Sequence, residues 1–183
     1  MRTSNRSKIL DAAIRVIQRD GVTGVTFDAV AAEAGVTRGG MMYHFRAREA
    51  LIEALHQYLA QQWEFSLTAT AGKPAQEASP AERDIAYART CAQSATRAEL
   101  LFMLDAVGSP ARSTPWEGVL ERWAAPAPQA HDDADALARF IVRLAADGMW
   151  AYEALSHAPL PEALRQRVAE QLSRMIASSA GPQ

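Results

Sequence analysis

One cysteine in 183 residues, Cys91, is too few for any internal disulfide, and the chain is expected to work in a reducing cytoplasm. Cys91 lies in an apolar-periodic stretch and reads as a buried structural thiol, not a nucleophile. No apolar run approaches the roughly 18 residues of a membrane span. The first ten residues alternate charged and polar types, so no secretory leader is expected. Strand-like alternation is missing, and so are a Gly-rich phosphate loop, a Ser nucleophile elbow and a His-Glu-x-x-His pair. His131, Asp132, Asp133 and Asp135 offer ligand-type atoms, but their spacing matches no metal motif, and charge at a helix N-terminus accounts for them. Neither a metal nor another cofactor is expected. A helical enzyme or carrier would need a nucleophile or an acid–base pair, and none is apparent.

What is abundant is helical periodicity. Ile9, Leu10, Ala13, Ile14 and Ile17 repeat at three- and four-residue spacing after Ser4, and Gly21 ends that helix. Thr26 caps a short second helix through Ala34, with Asp28 in its first turn complementing the dipole, and Gly35 closes it. Thr37 caps a third helix to about His44. Six more are expected: about 47–68, 80–96, 98–107, 115–124, 132–156 and one after Pro159/Pro161 that ends near Ala177. The fold class is therefore all-α, a small three-helix head (residues 1–46) leading into a larger bundle (residues 47–183). Charge follows the same division. Residues 1–50 carry a net +3 and residues 51–183 a net −5, as expected of a phosphate-facing module on an acidic body.

The stretch from Phe27 to Phe45 has the layout of a helix-turn-helix, two short helices joined by Gly35-Val36. Val30, Ala31 and Ala34 supply the crossing face, Val36 plugs the turn and Phe45 closes the head. The second helix of the pair is then the recognition helix. Thr37 and Arg38 stand at its start, where Arg38 can pair with a guanine edge or a phosphate. Tyr43 and His44 can donate to phosphate oxygens. Gly39 and Gly40 each weaken a helix by about 1 kcal/mol relative to Ala. Close backbone approach to DNA is one account; a tight contact inside the head, or a helix that orders only on DNA, is the other. Thr26 is a plain cap, or a cap whose exposed helix start also binds phosphate. Arg2 and Arg6 form a basic arm that reaches an adjacent minor groove or stays solvated.

These residues resemble the signature of TetR-type repressors over about residues 5–55: an apolar helix, Thr-Phe, Ala-Gly-Val, Tyr-His-Phe, then Arg-Glu-Ala-Leu. The resemblance implies a dimer that grips a pseudo-palindromic operator in double-stranded DNA and lets go when a small molecule binds. It assigns DNA contact to Thr26, Thr37, Arg38, Gly39, Tyr43, His44 and Arg48. Arg48 stands where the family usually has lysine, and Ala47 where it usually has a capping Ser or Thr.

The resemblance also implies that the C-terminal helices form a ligand chamber and a homodimer interface. Leu137, Phe140, Ile141, Leu144, Gly148 and Tyr152, with Leu164, Val168, Leu172, Met175 and Ile176, make two stripes that either pair across a two-fold axis or close the monomer core. Trp63, Phe65, Phe102, Met103, Trp116, Trp123, Met149 and Trp150 line an aromatic pocket or an ordinary core. Asp105 and Asp147 lie in apolar runs, and either one pairs with Arg139 or Arg143 or balances a cationic ligand. Glu99–Pro110 and Leu144–Trp150 look like the CgmR-like, multidrug-responsive members of the family. The expected effector site is therefore Trp63, Phe102, Asp105, Trp116, Asp147 and Trp150, and the expected effector a small lipophilic compound, cationic where an aspartate meets it.

Overall fold

The computed structural model describes residues 5–93, 96–129 and 134–179. Ser4, Arg2 and the His131–Asp133 stretch lie outside the described residues. The described residues form helices joined by turns and loops: α1 (Asn5–Asp20), α2 (Phe27–Ala34), α3 (Arg38–His44), α4 (Arg48–Ala71), α5 (Pro80–Cys91), α6 (Arg97–Ala106), α7 (Pro110–Trp123), α8 (Ala134–Leu155) and α9 (Glu162–Ser179), with a 3-10 turn at Val22–Gly24. Among the described residues no strand forms, and no helix is long and apolar enough to cross a membrane.

The helix ends follow from local chemistry. Thr26 and Thr37 cap α2 and α3 by accepting hydrogen bonds from the Ala29 and Gly40 amides at 3.1 and 3.0 Å. Gly35 ends α2 at φ 64°, a left-handed conformation that glycine adopts without a Cβ penalty. Ser79 with Glu82 and Thr96 with Glu99 form reciprocal capping boxes at the starts of α5 and α6. Hydrogen bonds from Lys73 and from the Ser79 cap hold the pKa of Glu82 down to about 2. Three boundaries differ from expectation, the first being α4, which runs three residues further, to Ala71. α5 stops at Cys91 because Thr96 is needed to cap α6. α7 starts five residues early, at Pro110, whose missing N–H costs nothing in the first turn, so Pro115 falls inside the helix and removes one rung there.

The chain forms two compact units, and α4 and α7 each contribute to both. The first spans Met1–Gln61 and Thr96–Trp116. In it α1 packs on α2, α2 on α3, and α6 on α1. Ile9, Leu10, Ala13, Val16, Ile17, Val30, Met41, Phe45, Leu51 and Leu55 form its core. The second spans Gln62–Ala95 and Glu117–Gln183, with α5 packed on α8 and α9, and α8 on α9. Tyr87, Cys91, Trp123, Val142, Ala146, Leu172 and Ile176 are buried there. Burial pushes the Cys91 thiol well above its ordinary range, which makes it inert.

Candidate nucleic-acid interface

Two ion pairs tie the first two helices of the head together. Arg15 and Arg19 of α1 both reach Glu33 of α2, at 2.7 and 3.1 Å, and hold its carboxyl below the usual range. Val30, Ala31 and Ala34 are buried as the crossing face, and Phe45 closes the head at 3% exposure. Arg6 lies with its guanidinium 5.4 Å from the Phe45 ring centre, a cation–π contact that anchors it beside the head.

On this frame α3 presents one outward row. Thr37, Arg38, Gly39 and Tyr43 are exposed, Tyr43 at 86%, while Met41 on the opposite side is fully buried. An aromatic ring left almost wholly in water contributes nothing to the core, and its hydroxyl is free to donate outward. His44 is partly buried, its ring edge-on to Tyr43 with centroids 5.2 Å apart. Thr26 is exposed at the start of α2, its hydroxyl oxygen already used as a cap.

The two glycines separate. A Cβ at Gly39 would meet nothing nearer than the Thr37 hydroxyl at 3.9 Å, so no contact inside the head demands glycine there. At Gly40 the same hydroxyl would stand at 3.3 Å, a tighter fit against the cap.

Arg48 is held differently from a residue turned to solvent. Its Nε donates to the Val25 carbonyl at 2.8 Å and its Nη2 to the Val22 carbonyl at 2.9 Å. The side chain is a strut from the start of α4 to the turn between α1 and α2, and it gives two turn carbonyls a donor. In the sequence Arg48 stands out by its spacing after Tyr-His-Phe, and spacing carries no information on these acceptors. Asp28 reads there only as a dipole complement, yet Nη1 of Arg38 donates to both of its carboxylate oxygens at 2.8 Å.

The expected effector residues divide between the two units. Phe102, Asp105 and Trp116 surround His56 in the first. The Trp116 indole donates to His56 Nδ1 at 3.0 Å, so the imidazole proton sits on Nε2, which faces Asp105 at 3.3 Å. Asp105 also pairs with Arg112 at 2.9 Å, and Phe102 stacks edge-on against the imidazole at 4.7 Å. His56 is fully buried, and burial lowers its pKa despite the facing carboxylate. Trp63, Asp147 and Trp150 lie in the second unit. Trp63 packs edge-on to Tyr87 at 5.7 Å, and the Tyr87 hydroxyl donates to Asp147, which also faces Arg143 at 3.6 Å. Trp150 is partly buried, and Phe65 is 76% exposed. Asp147 thus faces Arg143, one of the two arginines expected, whereas Asp105 takes Arg112 and the other expected arginine, Arg139, goes to Asp84. His56 and Tyr87 are additions that sequence reasoning missed, since neither stands in a recognisable motif.

The wider carboxylates follow one rule. Glu64 with Arg122, Asp84 with Arg139 and Glu153 with Arg165 are also ion-paired within the second unit. Arg122 holds the Glu64 carboxyl below its usual range, whereas burial raises that of Asp84 in spite of Arg139. Among the described residues no three His, Cys, Asp or Glu side chains converge as a metal site would require.

Residues 9–55 match the model of the tetR family of bacterial regulatory proteins, and residues 85–177 match the tetracyclin repressor-like C-terminal domain. The chain is 40% identical over 50 residues to each of two HTH-type transcriptional regulators of Pseudomonas putida, SrpR and TtgW. That stretch is 27% of this chain but only 24% of SrpR and 37% of TtgW. The crystal structure of the multidrug binding protein EbrR with malachite green is 26% identical, with a TM-score of 0.62 over 95% of this chain and 99% of that one. EbrR with proflavin superposes at a TM-score of 0.51, is 25% identical, and covers 94% of this chain and 100% of that one. The chain belongs to the TetR family of bacterial transcriptional regulators.

Proposed function

We propose that the protein is a ligand-released repressor, acting in the cytoplasm as a homodimer on a pseudo-palindromic operator. The observation that carries this reading is the outward row of α3, with Thr37, Arg38, Gly39 and an 86%-exposed Tyr43 above a buried Met41. A recognition helix enters the major groove with its N-terminal residues at base edges. Thr26, Tyr43 and His44 then serve phosphates, and Arg48 acts by fixing the turn that precedes Thr26 while its Nη1 donors are left for phosphate. Residues 1–46 would carry DNA binding and residues 47–183 effector binding and dimerisation.

The dimer reading rests on α8. Leu137, Ile141, Leu144, Tyr152 and Leu155 lie along one face and are each about half exposed or more, and a Cβ at Gly148 within that face would meet nothing within 4 Å. A stripe left in water does not close a monomer core; it suits a second copy of the same helix. On α9 the stripe divides, with Leu172 and Ile176 buried while Leu164 and Met175 stay exposed.

For the effector, support comes from EbrR, seen with malachite green and with proflavin, both aromatic cations. Of the two candidate aspartates, Asp147 is the better placed to meet a cation. Its side chain is 40% exposed, with Arg143 no nearer than 3.6 Å and Tyr87, which packs on Trp63, beside it, whereas the 25%-exposed Asp105 is held by Arg112 at 2.9 Å and also faces His56. Trp150 would add apolar contact within the second unit, and Phe102 and Trp116 beside Asp105 form the alternative cluster within the first.

The test is operator selection from a randomised duplex pool, followed by binding measurements on the selected duplex. Wild type should select a two-fold symmetric sequence, and Tyr43→Ala should bind it more weakly with unchanged helicity and association state. A Tyr43→Ala protein that binds with wild-type affinity, or a wild type that selects nothing, defeats the reading.

A further inference from the structure

Arg38, the first residue of the recognition helix, is not an idle surface cation. Its Nη1 donates to both oxygens of Asp28 on α2, and no other partner is seen for it among the described residues. The side chains are 62% and 72% exposed, so the pair adds little to fold stability. Its effect is on the arginine. A guanidinium has five N–H donors in a rigid fork, and a carboxylate on one amino group leaves the Nε–Nη2 edge available. That edge fits the O6/N7 acceptor pair of guanine. The carboxylate also fixes the plane and rotamer of a long side chain, removing entropy that each hydrogen bond would otherwise cost.

Against phosphate the same carboxylate works in the opposite direction. An unbuttressed Arg38 would pair with any phosphate oxygen as a charge-assisted hydrogen bond. With Asp28 in place the local charge is cancelled, and a second anion brought to that fork meets the carboxylate as a like charge. Asp28 itself lies in the first turn of α2, where the helix dipole favours an anion and so holds the carboxylate at this spot.

Resting on the DNA-binding reading above, we infer that Asp28 is a specificity-determining residue: it buttresses Arg38 toward a guanine edge and withholds it from phosphate. Two sources could weaken DNA selectivity on its removal, loss of the buttress or loss of a repelling charge anywhere near DNA, and the experiment separates them. Full-length wild type, Asp28→Asn, Arg38→Ala and the double variant are titrated on a duplex selected by wild type and on a scrambled duplex of the same composition. Asp28→Asn should bind the scrambled duplex more tightly and lower the selected-to-scrambled ratio by on the order of tenfold, the discrimination of one bidentate arginine–guanine contact. In the Arg38→Ala background Asp28→Asn should leave that ratio unchanged, because the effect passes through the arginine. An unchanged ratio in the single variant overturns the inference. So does an equal change in both backgrounds, which makes Asp28 a general repelling charge. If wild type itself prefers no duplex, the DNA-binding reading fails first, and the inference falls with it.

Discussion

Replacing Gly39 with alanine should move stability and DNA affinity in opposite directions. Glycine in a helix interior costs about 1 kcal/mol relative to alanine, and Gly39 lies in the first turn, where propensity counts for less, so the expected gain is about 0.5–1 kcal/mol. No steric penalty offsets it, since the new Cβ would touch only the Thr37 hydroxyl at 3.9 Å. Gly39 is not a positive-φ position, so alanine adopts the same backbone. For a chain of 183 residues this gain corresponds to a rise in Tm of roughly 1–4 °C. On DNA the methyl group would project from the outward face of α3, between Arg38 and Tyr43, where the proposed docking brings the backbone close to the groove. Operator affinity should fall by on the order of tenfold, about 1.4 kcal/mol. Thermal unfolding and fluorescence anisotropy on the selected duplex, run on the same preparation, measure both. A variant that is less stable than wild type would show that the glycine is demanded inside the head. One that is more stable and binds equally well would show that the methyl meets no DNA, and either result overturns this role for Gly39.

Other outcomes follow from the same geometry. Arg48→Lys keeps the charge but cannot reach both the Val22 and Val25 carbonyls, so it should cost about 1–3 kcal/mol in urea unfolding; an unchanged midpoint would rule out the strut. His56 is buried neutral with its pKa lowered from 6.5, so the unfolded chain takes up its proton before the folded one does. Its stability contribution is therefore complete above about pH 6.5 and is lost as pH falls below it, by up to about 1.4 kcal/mol per pH unit. His56→Gln should flatten the stability profile in that acid window, and an identical slope would remove the histidine from the account. Ile141→Glu places a charge in the middle of the exposed α8 stripe and should convert a sedimenting dimer to monomer without loss of helicity; persistence of the dimer would move the interface elsewhere. Proflavin should quench tryptophan fluorescence and release the operator, and Asp147→Asn should weaken this more than Asp105→Asn, whose carboxylate is taken by Arg112; equal effects would leave Asp147 with no special part in binding.

Much of the head is legible in the residues because its determinants are local. Thr26 and Thr37 cap the helices that follow them, Gly35 ends α2, and Val30, Ala31 and Ala34 face inward at helical spacing, all interactions within a few residues. The all-helical class follows in the same way, since periodicity and capping operate along the chain. The proline-rich entry to α7 misleads because Pro110 and Pro115 each make an acceptable first-turn residue, and only the surrounding packing chooses between them. Long-range pairing decided the rest. That Arg38 is held by Asp28, that Arg48 reaches back to Val22 and Val25, and that Asp105 meets Arg112 while Asp147 meets Tyr87 depends on which side chains the folded helices bring within roughly 3 Å, the reach of a hydrogen bond. A carboxylate in an apolar run needs a partner, which is a statement about the sequence; the identity of the partner is set by helix crossing, which one-dimensional spacing does not encode. The same holds for His56, unremarkable between Leu55 and Gln57 until α6 and α7 bring Phe102, Asp105 and Trp116 around it.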